Sequence, residues 1–136
     1  MKKYLLIAVS FIMINAGLKT SCDKEKPLTI ETVRQEINTY KIEHGEIVLA
    51  QAILETEWFT CDKCSLDGNN LFGWSHDGIT YLKFKHWDES VAMYKIWQSD
   101  NYFGGDYYEF LDDVGYASDT NYVRKLKQIV EQLKKK

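Results

Sequence analysis

The stretch "LAQAILETEWFT", residues 49–60, decides how the rest of the sequence is read. Together with Glu46, Ile47 and Val48 it forms a helical run in which Leu49, Ala50, Ala52, Ile53 and Leu54 leave almost no polar face. A helix that is hydrophobic all round is a central one, against which the other elements pack. Its last turn nevertheless carries Glu55, and burying a carboxylate without a partner is costly unless it takes up a proton. Glu57 lies about 200° further round the helix, so only one of the two acids can face a cleft. Glu55 stays in phase with Gln51 and Ala52, whereas Glu57 falls where the helix ends and reads as solvated. Apolar rings such as Trp58, Phe72 and Trp74 around a carboxyl favour its acid form, which is what a general acid requires. Glu55 is therefore the first candidate catalytic residue.

Working outward, Pro27 and Thr29 mark the start of a preceding helix, with Ile30, Val33, Ile37 and Tyr40 at helical spacing and His44-Gly45 as its end. Downstream of Cys64 the pattern turns extended. "NLFGWS" and "ITYLKF" flank His76-Asp77-Gly78, and an Asp-Gly pair between such runs is a hairpin signal. The helical period returns with Trp87, Val91, Tyr94 and Trp97. A short helix follows Asp106, which reads as its cap, and Gly115 closes it. The last helix is expected from about Ser118 or Asp119, with Tyr122, Leu126, Ile129, Val130 and Leu133 inside. The fold class is α+β and mainly α: a helical body with one small β-hairpin lobe after the central helix.

Of the 136 residues, the first part reads as a leader. Lys2 and Lys3 precede an apolar run from Tyr4 to Gly17, too short for a comfortable membrane span and suited to a secretory signal. "LKTSC" places Thr20 and Ser21 before Cys22 and resembles a lipoprotein signal, although Lys19 departs from that pattern; a plain secretory signal is the other reading. The expected division is a signal over 1–21, a charged tether over 22–28 and the functional domain over 29–136. The net charge of −3 becomes −6 once Lys2, Lys3 and Lys19 are removed with the leader, which contains no acid. An acidic mature chain argues against nucleic acid as a partner. Cys61 and Cys64 form a C-x-x-C. Zinc would need two further ligands, and His44, His76 and His86 show no paired spacing, so no metal is expected. In an oxidising compartment a short disulfide is the favoured reading.

"AQAILETEW", "NNLFGW", "FKHWDESV" and "GYASDTNYVRKL" occur in the order and spacing of the bacterial glucosaminidase family, glycoside hydrolase family 73, and the chain resembles it from about Thr29 to Leu133. The resemblance implies a lysozyme-like domain that cleaves the β-1,4 bond after N-acetylglucosamine in peptidoglycan, with Glu55 as proton donor and no cofactor. It carries Tyr116, of the motif Tyr116-Ala117-Ser118-Asp119, over as an active-site residue and Tyr122 as its neighbour. Position 57 is usually Gly in that family and is Glu here. Many members also place a second Glu in the hairpin, where this sequence offers only Asp77.

Asp77 is a candidate second carboxylate, but as the first residue of an Asp-Gly turn it has a complete structural explanation. Glu89 falls in the first turn of a helix, where the dipole favours acids. Asn70, Phe72 and Trp74 are candidate sugar contacts, and aromatic residues fill cores as readily as they line clefts. Enzymes acting on N-acetyl sugars can use the substrate's acetamido oxygen as nucleophile, so a single acid suffices. The expected protein is a monomeric endo-β-N-acetylglucosaminidase of the cell envelope, held to a membrane by lipid on Cys22 and facing the periplasm or cell surface. A lytic transglycosylase and a noncatalytic glycan-binding lipoprotein are the alternatives.

Overall fold

The computed structural model describes residues 25–135. The leader over 1–21 and Cys22 lie outside the described residues. Among the described residues five α-helices make up the body: α1 Ile30–Thr39, α2 Gly45–Glu55, α3 Trp87–Asn101, α4 Tyr107–Asp113 and α5 Tyr122–Lys134.

Helix α1 starts in a reciprocal cap: the Thr32 amide donates to the Thr29 hydroxyl at 3.1 Å, and the Thr29 amide donates to the Thr32 hydroxyl at 3.0 Å. Such a pairing satisfies two of the donors that every helix start leaves open. Val33 and Ile37, one turn apart, bury its inner face. Lys26 closes the same corner, its ammonium 2.8 Å from Glu36 and 3.0 Å from Asp88. The Trp87 indole donates to the Lys26 carbonyl at 2.9 Å, so residues read from the sequence as tether are fastened to the body.

Helix α2 is the axis of the domain, with every residue from Val48 to Ile53 buried. It packs against both α1 and α5. Gly45 permits its approach to α1, since a Cβ there would stand 3.1 Å from Cγ2 of Ile37. Helix α5 contributes Tyr122, Leu126, Ile129, Val130 and Leu133 from one stripe, the periodicity expected of a helix with one face on the core. It begins at Tyr122 rather than at Ser118 or Asp119, because Asp119 is engaged ahead of the helix: it accepts from the Asn121 amide at 2.9 Å and pairs with Lys125 at 2.6 Å.

At the end of α2 the backbone turns sharply left-handed. Thr56 bonds back to the Ala52 carbonyl through its hydroxyl at 2.7 Å. Glu57, Trp58 and Phe59 then follow with φ of 48°, 61° and 63°. Left-handed conformations cost non-glycine residues about 1–2 kcal/mol each. The turn is held by the Trp58 amide on the Ile53 carbonyl (2.9 Å) and by the Thr60 and Cys61 amides on the Thr56 carbonyl (3.0 and 3.1 Å). A disulfide between Cys61 and Cys64, Cα atoms 6.1 Å apart, closes the next loop. The glycine usual at position 57 in the resembling family therefore has a backbone reason. Glu57→Gly is expected to raise stability by roughly 0.5–1 kcal/mol, the relief of the left-handed penalty exceeding the added unfolded-state entropy; a melting temperature unchanged or lowered would contradict this account.

The segment after the disulfide differs from the expected hairpin lobe. One antiparallel bridge joins Ser75 to Tyr81, the Leu82 amide donates to the Trp74 carbonyl at 2.8 Å, and no strand ladder is present among the described residues. Leu71, Phe72 and Trp74 are buried in the core, but Ile79 and Tyr81 are exposed, so the tip of the segment has no apolar face to bury and nothing there drives a longer ladder. Side chains shape the loop instead. Asn70, fully buried, accepts from the Trp74 amide at 2.9 Å and donates to the carbonyls of Trp74 and Leu82 at 2.9 and 3.0 Å.

Candidate active site

Glu55 ends α2 half-buried, where the helix meets α5 and the loop before it. A cleft of about 260 Å³ opens there, lined by Leu54, Glu55, Ala117, Ser118, Asp119, Tyr122 and Lys125. The Tyr122 hydroxyl donates to Oε1 of Glu55 at 3.3 Å. Tyr122 is 7% exposed, and burial raises its hydroxyl well above its ordinary range, so it stays a donor at any working pH.

Tyr116 stands behind this pair. Its ring stacks on Tyr122 with centroids 5.7 Å apart, and its hydroxyl donates to the Phe72 carbonyl at 3.3 Å. It is 2% exposed, and burial likewise raises its pKa far above normal. Tyr116 thus supports the wall of the cleft through Tyr122 and does not itself face the opening.

The structure brings Glu55, Tyr122 and, through a ring contact, Tyr116 together. Asn70, Phe72 and Trp74 lie elsewhere. Phe72 and Trp74 are 0% and 1% exposed, and the Trp74 indole donates to the Ser90 carbonyl at 3.2 Å. All three are interior residues and none lines the cleft; Phe72 and Trp74 reach it only through their contacts with Tyr116. Asp77 is taken up by its own turn: Oδ1 accepts from the Ile79 and Thr80 amides at 2.8 and 2.7 Å and from the Ser75 hydroxyl at 2.9 Å. Those bonds, the Thr80 amide foremost, hold its carboxyl far below the usual range. Asp77 is not among the residues that line the cleft. Glu89 accepts from the Lys85 amide at 3.1 Å at the start of α3.

Two cleft residues were not singled out by the sequence reading. Asp119, held below its ordinary pKa chiefly by the Lys125 ammonium, lines the cleft, and so does Lys125, paired with it at 2.6 Å. The signal was present in the motif Tyr116-Ala117-Ser118-Asp119, but Asp119 was read only as marking the start of the last helix.

The mainly helical body is consistent with a lysozyme-like fold. The chain belongs to the Glucosaminidase family, whose model, described as mannosyl-glycoprotein endo-beta-N-acetylglucosaminidase, matches residues 30–135. At the level of that family the domain is a glycoside hydrolase of the peptidoglycan-hydrolysing kind. No curated protein and no solved structure matches the chain.

Proposed function

We propose that this protein is an endo-β-N-acetylglucosaminidase that hydrolyses the β-1,4 bond after N-acetylglucosamine in peptidoglycan, with Glu55 as the general acid. The observation that carries this reading is the half-buried Glu55 carboxyl in the cleft, with Oε1 engaged by Tyr122. In this reading Glu55 protonates the bridging oxygen as the bond to the anomeric carbon breaks. The acetamido oxygen of the same sugar attacks that carbon and forms a cyclic oxazolinium ion, which water then opens with net retention. Tyr122 holds the acid, and Tyr116 keeps Tyr122 in place.

A second reading has one observation in its favour. Asp119 lines the same cleft and is kept ionised by Lys125, so it is placed to act on water or on the developing positive charge. The anomer released from purified sacculi separates the two: retention supports acetamido participation, and inversion moves the second role to Asp119. Mass spectrometry of the released muropeptides tests the reaction class, since hydrolysis adds a water and a lytic transglycosylase does not. Binding to sacculi without new reducing ends would make this a glycan-binding protein instead. The same proposal places the domain at the cell envelope, anchored by lipid on Cys22, with glycan strands as its partner.

A further inference from the structure

Glu55 sits at one end of a string of hydrogen bonds that crosses the core to the other end of α2. At its far end the Glu43 amide donates to Oε1 of Gln98 at 2.8 Å, and Nε2 of Gln98 donates to the Glu43 carbonyl at 2.9 Å. A backbone amide can only donate and a backbone carbonyl can only accept, so the Gln98 amide has a single orientation. Its Nε2 also donates to the Tyr107 hydroxyl at 2.9 Å. Tyr107, accepting there, directs its proton to the Tyr94 hydroxyl 2.7 Å away. Tyr94 in turn donates to Oε1 of Gln51 at 2.5 Å. That fixes the Gln51 amide with Nε2 towards Tyr122, to whose hydroxyl it donates at 3.3 Å. Tyr122 is left with one proton, and it goes to Oε1 of Glu55.

Each direction follows from the one before. The polarity set at the Glu43 backbone is therefore delivered to the acid along the 11 residues of α2, about 16 Å at about 1.5 Å per residue. Gln51 and Gln98 are 0% and 1% exposed, so water does not compete for these bonds. Burial keeps the Tyr94 and Tyr122 hydroxyls protonated and pushes Tyr107 up to about 12.

We propose that Gln51, Tyr94, Tyr107 and Gln98 are positioning residues for the acid, acting through Tyr122: the string makes Tyr122 an obligate donor to Oε1 and so fixes how the carboxyl is presented to the cleft. This rests on the assignment of Glu55 as the general acid. A buried string of bonds can serve stability alone; here its polarity distinguishes the two roles, because polarity can be changed with little change of shape.

Two substitutions remote from the cleft do so. Gln98→Glu, neutral in its acid form, donates a proton to the Glu43 carbonyl and accepts from Tyr107. The string then runs backwards, and Tyr122 donates to Gln51 instead of Glu55. Tyr94→Phe cuts the string and frees the Gln51 amide to flip. Each is expected to lower kcat on sacculi about tenfold with KM within about twofold, the loss of one hydrogen bond to an ionisable group in the transition state. Tyr102→Phe, which removes a buried hydroxyl bonded to His44 and Gly105 outside the string, serves as the stability-matched control and keeps its kcat. In a Tyr122→Phe background neither remote substitution lowers kcat further. Thermal melts confirm folding, and Tyr94→Phe, which removes a single oxygen, carries the test if Gln98→Glu does not fold. Folded variants with wild-type kcat, or losses that add to that of Tyr122→Phe, overturn the proposal while an inactive Glu55→Gln leaves the acid assignment standing. An active Glu55→Gln overturns both.

Discussion

Glu55→Gln is expected to reduce release of reducing ends from sacculi by about 10³-fold while the melting temperature stays within a few degrees. The substitution keeps the shape of the side chain and an oxygen to accept from Tyr122, so α2 and the cleft wall are retained. It removes the transferable proton, and general acid catalysis contributes about 10²–10⁴-fold to a rate. Because the side chain is only half-buried, a neutral amide there adds little desolvation cost. Binding to sacculi should persist, so the loss falls on kcat. Asp77→Asn is the informative comparison. Asp77 is exposed and its Oδ1 acceptor role survives in the Asn carbonyl, so hydrolysis is expected to stay within a few-fold of wild type. Equal collapse of both variants would instead make Asp77 a second catalytic carboxylate, brought to the cleft by movement of its loop.

Much of this arrangement could be read from the residues alone, and what escaped has a common cause. The unbroken apolar run of α2, the Thr29 cap, the Asp106 cap and the single stripe of α5 are local patterns with helical periods. The caps are formed as read: Asp106 accepts from the Tyr108 and Glu109 amides at 2.8 and 3.0 Å, and the Gly115 amide closes α4 on Asp112 at 2.9 Å. The segment from Ser75 to Tyr81 was harder, because an Asp-Gly pair is equally at home in a hairpin and in a turn closed by the Asp side chain. Only the exposure of Ile79 and Tyr81, a property of the assembled surface, separates these outcomes. Glu55 was legible as a polar residue on an apolar helix, and it lines the cleft at the end of α2. Tyr122 was named through the Tyr116 motif, but Gln51, Tyr94 and Tyr107 were not linked to Glu55: they come from three different helices, and no linear spacing connects them. Asp119 was visible only as the end of the Tyr116 motif and an approximate helix start, because its place in the cleft depends on how the loop before α5 meets α2.

Trp74→Ala is the prediction that best separates an interior role from a sugar-binding one. Trp74 is among the largest fully buried side chains, and its ring lies within 6.3 Å, centroid to centroid, of those of Phe72, Tyr94, Trp97 and Tyr116. Its indole N–H is bonded to the Ser90 carbonyl, and its backbone is gripped on both sides by Asn70. Truncation leaves a cavity at the meeting point of α3, the bridged loop and the wall behind the active site. Large aromatic truncations in cores cost about 3–5 kcal/mol, against a total stability of about 5–15 kcal/mol for a domain. At roughly 3–6 °C per kcal/mol for a domain of this size, the melting temperature should fall by about 10–25 °C. Activity measured well below the new midpoint should fall through kcat, because Tyr116 loses a ring partner and the Tyr122 wall loosens. A sugar platform would behave in the opposite way: its loss would raise KM several-fold and leave the melting temperature nearly unchanged, since an exposed ring contributes little to folding. Thermal denaturation and a substrate titration of one purified variant therefore decide between the two roles.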